Sequence, residues 1–139
     1  MRKTDGFRKH HDGLREIVGR LEPMLVPARI AEDPAAVSKV VLDLFGKFSI
    51  HLAIEDNTLY PKCAAHADAA LRRTAAEFQA EMGSLSQRFD AYKKAWAGPL
   101  AIGRDPAAFV TATREILGLF KARVEREESR LYDLFDKAA

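Results

Sequence analysis

His51 and Glu55 stand four residues apart in the stretch His51-Leu52-Ala53-Ile54-Glu55-Asp56-Asn57-Thr58-Leu59-Tyr60-Pro61. On an α-helix that spacing stacks the two side chains on one face, a turn apart. An imidazole nitrogen and a carboxylate oxygen so placed can reach a single metal ion. The same spacing also allows a buried His–Glu hydrogen bond that satisfies both groups without a metal. Arg123 and Glu127 repeat it near the other end of the chain. An arginine keeps its proton, so on a core-facing position it needs acidic partners, or else its aliphatic stem carries the charge out to solvent. Other chemistries lack their residues. Cys63 is the only cysteine, which excludes an intramolecular disulfide and a cysteine-based zinc cluster. It reads as a small, semi-buried apolar residue. Gly6, Gly13, Gly19 and Gly46 are scattered singly, so there is no phosphate-binding glycine loop. No nucleophile stands with a base, and the chain is expected not to be an enzyme.

Helices must position these residues, and the apolar spacing supplies them. Phe7, Leu14, Val18, Leu21 and Leu25 recur at helical steps, with His11 on their stripe and His10 beside it. Pro23 and Pro27 end this helix or bend its last turn. Asp33-Pro34 reads as an N-cap and first helical residue, opening a helix whose inward stripe is Val37, Val41, Leu44, Phe48 and Leu59. His51 and Glu55 lie on that stripe. Pro61 with Ala64, Ala65 and Ala67 marks a break, and His66 falls in this polar connection. Leu71, Ala75, Phe78, Met82, Leu85, Phe89, Tyr92 and Trp96 trace a third helix, stopped by Gly98-Pro99. Asp105-Pro106 caps a fourth, which carries Phe109, Ile116, Phe120, Leu131 and Leu134, with Arg123 and Glu127 on its apolar side. The expectation is an all-α, antiparallel up-down four-helix bundle, one domain over 1–139, with helices at roughly 5–26, 34–63, 68–97 and 106–137.

The 139 residues suffice for one buried core, and 47% hydrophobic with 30% charged is ordinary for a soluble protein. The net charge of +2 is made of interspersed acids and bases, with no basic block for nucleic acid. No apolar run approaches the roughly 20 residues of a membrane span. The polar start Met1-Arg2-Lys3-Thr4-Asp5-Gly6 leads into no signal-peptide core, so a cytoplasmic protein is expected. The apolar stripes look consumed by packing within the chain, which favours a monomer or a weak dimer.

The two halves of the chain match at one offset. Asp33-Pro34-Ala35-Ala36 recurs 72 residues on as Asp105-Pro106-Ala107-Ala108, and Leu59-Tyr60 recurs as Leu131-Tyr132. Glu55-Asp56 pairs with Glu127-Glu128, and His51 with Arg123. His11-x-x-Leu14 pairs with Met82-x-x-Leu85 at an offset shorter by one. Each half is then a helical hairpin, the two related by a pseudo-twofold axis. The inward polar positions read His, His, Glu in the first half and Met, Arg, Glu in the second.

On His11-Asp12-Gly13-Leu14, on His51-x-x-x-Glu55 with Leu59-Tyr60-Pro61, and on Glu127-Glu128-x-x-Leu131-Tyr132, the chain resembles the hemerythrin-like, or HHE cation-binding, domains. The resemblance spans essentially the whole chain. It implies a four-helix bundle that holds two non-haem irons with five histidines and two bridging carboxylates, and that binds or senses oxygen or handles iron and redox state. By position it makes His11, His51, Glu55 and Glu127, or its neighbour Glu128, the metal ligands. The chain departs from the pattern where the third helix supplies histidines, since Met82 and Phe78 stand there. It departs again where the fourth supplies one, at Arg123. The missing histidines are those of one iron, so the expectation is a reduced, mononuclear site for Fe, with Zn or Mn as alternatives, able to meet a small diatomic ligand such as oxygen or nitric oxide. Arg123 is expected to take the place of the second ion and to pair with Glu55 and Glu127. Two carboxylates, a divalent ion and Arg123 sum to +1. Met82, a soft thioether, reads as core filling. Glu81 and Glu77 flank the seam and read as a solvated face, though able to turn inward. The rival expectation is a metal-free bundle that serves as a protein-interaction or regulatory module, with Glu55, Arg123 and Glu127 as a buried ionic network.

Overall fold

Aspartate and proline set where two of the long helices begin. Asp33 Oδ1 accepts from the Ala36 N–H at 3.2 Å, and Asp105 Oδ1 from the Ala108 N–H at 3.1 Å. The two caps share one backbone conformation, φ −148° or −149° with ψ 77°. Proline follows each, where its missing N–H leaves no helical bond unmade. The computed structural model describes residues 2–138; Met1 and Ala139, the ends of the expected span, lie outside it.

Among the described residues eight α-helices follow one another: α1 Asp5–Leu21, α2 Pro27–Glu32, α3 Pro34–Ile54, α4 Tyr60–Ala64, α5 Ala69–Ala95, α6 Pro99–Arg104, α7 Pro106–Arg126 and α8 Tyr132–Lys137. A π-helical turn, Glu55–Leu59, joins α3 to α4, and a second, Glu127–Leu131, joins α7 to α8. Four long rods result: α1, α3–α4, α5 and α7–α8. Their contacts run antiparallel. His11 meets His51 while Arg20 meets Asp43. Thr4 meets Asp136 while Arg15 meets Glu128. Tyr92 meets Thr113 while Glu81 meets Arg126. The chain is an all-α bundle.

The first helix is shorter than the expected 5–26. It is α-helical to Leu21, tightens to a 3₁₀ turn over Glu22–Met24 at Pro23, and Pro27 starts a new helix rather than ending the old one. The connections before α3 and α7 thus contain short helices, α2 and α6, that the apolar spacing did not announce. They are themselves a repeat, 72 residues apart, each opening on proline and burying one isoleucine, Ile30 or Ile102. Each packs on the long helix of the opposite half, α2 on α7 and α6 on α3. Pro61 sits inside α4, and the break comes after Ala64.

The buried residues form two clusters. The larger holds Leu14, Phe48, Met82 and Phe120 among others; the smaller holds Leu59, Tyr60, Phe78, Leu131 and Tyr132. Along each rod the boundary falls at the same level: Phe7 and Leu14 on either side of His11, Phe48 and Leu59 on either side of His51 and Glu55, Phe120 and Leu131 on either side of Arg123 and Glu127. A polar layer therefore divides the apolar interior. Among the described residues, α5 alone of the four rods crosses it without a buried polar side chain, passing from Phe78 to Met82. Among the described residues, no helix is long and apolar enough to cross a membrane.

Candidate metal centre

Each π turn shapes one wall of the polar layer. Five residues of α-helix rotate about 500°, which would leave Glu55 and Tyr60 about 140° apart. The Tyr60 N–H instead bonds to the Glu55 carbonyl, and that of Tyr132 to Glu127, so glutamate and tyrosine both face inward. The tyrosines then reach across the bundle. Tyr132 Oη donates to Glu55 Oε2 at 2.8 Å, and Tyr60 Oη to Glu127 Oε2 at 3.1 Å.

His11, His51, Glu55 and Glu127 meet at the centre, none more than 2% exposed. Each offers a donor atom, and the four atoms lie within 4.8 Å of one another. His11 Nε2 is 3.0 Å from His51 Nε2 and 3.3 Å from Glu127 Oε1; His51 Nε2 is 2.9 Å from Glu55 Oε1. Donors bound to one ion at about 2.1 Å stand about 3–4 Å apart, so the spacing suits a single metal. His51 Nδ1 is buried without a hydrogen-bond partner among the described residues, and Glu55 Oε1 meets only His51 Nε2, outside hydrogen-bond geometry. A carboxylate oxygen left so is what a cation would satisfy. Imidazole with carboxylate matches iron, zinc or manganese better than a soft ion.

The electrostatics tell the same story. Burial pushes Glu55 up to about 7, with nearby His51 only partly opposing it. At Glu127 burial works in the same direction, but the interactions with His11, His51 and Glu55 and the charge of Arg123 outweigh it and hold that carboxyl well below the usual range. Burial resists charge on His51, yet Glu127 and Glu55 overcome it and raise the imidazole to about 9. The metal-free cluster therefore holds protons that a bound cation would displace. Burial keeps both tyrosine hydroxyls far above their ordinary range.

Arg123 does lie in the layer, 5% exposed. Of the expected pair, Glu127 is a partner and Glu55 is not. Nη2 donates to Tyr60 Oη at 2.7 Å and lies 3.7 Å from Glu127, while Nη1 is 3.6 Å from Glu81. No ion pair joins it to Glu55 among the described residues, because Glu55 is turned toward His51 and Tyr132 on the far side of the cluster. Phe78 lies under it, ring centre to guanidinium 4.7 Å. Glu81 stays at the surface, clasped by Arg126 at 2.6 and 2.9 Å, and Glu77 pairs with Arg130 at 3.7 Å. Met82 is buried in the larger cluster. Glu128 does not enter the centre; it meets His11 Nδ1 from outside at 2.9 Å. His10 is partly exposed beside His51, and His66 accepts from the Asp68 N–H in the connection before α5. Cys63 is fully buried, its thiol pushed up to about 11 by burial. The apolar stripes did not single out the tyrosines as site residues; their recurrence at the repeat offset, directly after each π turn, was the available signal.

The hemerythrin HHE cation-binding domain model matches residues 2–135. The chain belongs to that family. Among curated proteins and among solved structures, no match was found. In this hemerythrin-like domain the α5 positions Phe78 and Met82 offer no nitrogen or oxygen donor, and Arg123 brings a fixed positive charge to the fourth rod.

Proposed function

We propose that this hemerythrin-like protein holds one non-haem iron with His11, His51, Glu55 and Glu127, and that zinc or manganese can take its place. The observation that carries this reading is the convergence of four buried donor groups in a layer that also contains an arginine. A second cation beside Arg123 would meet like charge at close range. Two imidazoles and two carboxylates leave coordination positions open, and an iron there would supply affinity for a small diatomic molecule such as oxygen or nitric oxide. Within the chain, His11 is oriented by Glu128, Glu55 by Tyr132, and Glu127 by Tyr60 and Arg123. These are the outer hydrogen bonds that fix a ligand's direction. The role that follows is sensing of oxygen, nitric oxide or redox state, not reversible transport, which uses two irons.

Elemental analysis of chelator-treated protein, reconstituted anaerobically with Fe(II), tests the proposal. About one iron per chain is expected. Two per chain would contradict the role given to Arg123. No bound metal would favour a second reading, a metal-free interaction module, whose support is the set of bonds that tie Arg123 to Tyr60 and Glu127.

A further inference from the structure

The four donors do not exhaust the polar layer. Tyr132 is fully buried, and its Oη lies 2.8 Å from Glu55 Oε2 and 3.2 Å from His11 Nε2. It therefore touches two of the four groups from inside the same layer. Around His11 Nε2 the distances to His51 Nε2, Tyr132 Oη and Glu127 Oε1 are 3.0, 3.2 and 3.3 Å. Each is close to the edge of about 3 Å that separates neighbouring donors on one first-row metal ion.

The hydrogen bonds point the same way. In a neutral His11 whose ring proton sits on Nδ1, toward the Glu128 carboxylate at 2.9 Å, Nε2 is a lone pair. Tyr132 has one proton. With Glu55 ionised, it satisfies one of two acceptors and turns its own lone pair toward the other. A cation shared by all of these atoms removes the conflict. Tyr60, the counterpart 72 residues away, is held differently: it receives a hydrogen bond from Arg123 at 2.7 Å and gives one to Glu127. Its lone pair is already turned to a cation.

We propose that Tyr132 is a fifth metal ligand, bound to ferric iron as the phenolate. The inference rests on the metal reading above and adds to it. Charge supplies the choice of oxidation state. A divalent ion with Glu55, Glu127, Arg123 and a neutral Tyr132 sums to +1. A ferric ion raises that to +2, and loss of the phenolic proton returns it to +1. On loading with Fe(III), the Oη–H bond of Tyr132 breaks, the Oη–Fe bond forms, and the proton leaves to water. No electron moves in this step. A divalent ion leaves the hydroxyl on Glu55.

The test uses the full chain, loaded with Fe(III) from its citrate complex or with Zn(II) chloride, metal per chain being counted in each case. The ferric protein is expected to show a visible phenolate-to-iron charge-transfer band and, on excitation into that band, enhanced tyrosine ring modes in the Raman spectrum. The zinc protein is expected to show neither. Tyr132→Phe should abolish the band, and Tyr60→Phe should keep it. Removal of an outer hydrogen-bonding partner weakens metal binding by about 10–100-fold whichever ion is bound. A ligand gives a selective loss, so Tyr132→Phe should weaken Fe(III) binding at least about tenfold more than Zn(II) binding. Equal losses would overturn the proposal, as would a ferric protein without the band or a band that survives in Tyr132→Phe. The Raman spectrum of the parent decides even if the variant fails to fold. A parent that binds no metal refutes the underlying metal reading, and the counted stoichiometry separates that outcome from the others.

Discussion

At 2.9 Å from His11 Nδ1, the Glu128 carboxylate is itself held from outside by Arg15 at 2.8 and 3.0 Å. A carboxylate on the far nitrogen of a metal-bound imidazole fixes the tautomer and aims the ring. Glu128→Gln should therefore lower metal affinity by about 10–100-fold with stoichiometry unchanged, as read by competition against a chelator. Unchanged affinity would remove Glu128 from the site. Arg123 acts through charge. Breaking one side of a buried ion pair costs about 3–5 kcal/mol, so Arg123→Met should destabilise the metal-free protein by about that amount in denaturant unfolding. Bound metal should narrow the gap, since a cation then offsets Glu127. At this scale the sequence was readable where spacing alone decides: His51 and Glu55 share a helix face, and their burial follows from the stripe. Of the two expected partners of Arg123, Glu127 was readable, four residues on along the same rod, and the second was not. Which carboxylate an arginine meets depends on how rods cross, and here α5 brings Glu81 closer than α3 brings Glu55.

At the scale of elements, both helix starts were legible because an Asp-Pro pair is a local signal. The short helices α2 and α6 were not, since a six-residue helix has too few turns for periodicity and is held by packing on the opposite half. The π turns were equally hidden: they keep the apolar steps nearly intact and change only which residue follows the glutamate inward. Gly98 shows how the two halves solve one turn differently. It enters α6 at φ 130° and ψ 177°, whereas Val26, at the same place before α2, is extended at φ −123°. The first conformation is open essentially to glycine alone. Gly98→Ala should thus destabilise by about 1–3 kcal/mol, measurable as a lower denaturation midpoint, while Val26→Ala should cost far less. Equal costs would show that the turn relaxes.

For the whole molecule, the polar layer links protons to stability. Glu55 is raised from 4.5 to about 7 and His51 from 6.5 to about 9, so between those limits the folded state binds more protons than the unfolded one. Stability then falls as pH rises. The Glu55 contribution is full below 4.5 and lost as pH passes about 7; that of His51 is full below 6.5 and lost as pH passes about 9. Glu127, held low, has the opposite sign and is lost as pH drops below its usual range. Urea midpoints of the metal-free protein should peak near pH 5 and decline toward pH 9. A midpoint that climbs from pH 5 to 9 would overturn this assignment of protons. The layer also has a consequence for motion. Because the apolar interior is two bodies and not one, the end built from α4, α8 and the start of α5 can loosen while the larger cluster stays packed. An ion or small molecule can then reach the centre by a partial opening, without unfolding of the chain. An ion held by His11, His51, Glu55 and Glu127 would tie α1, α3 and both π turns together at the seam and close the route by which it entered.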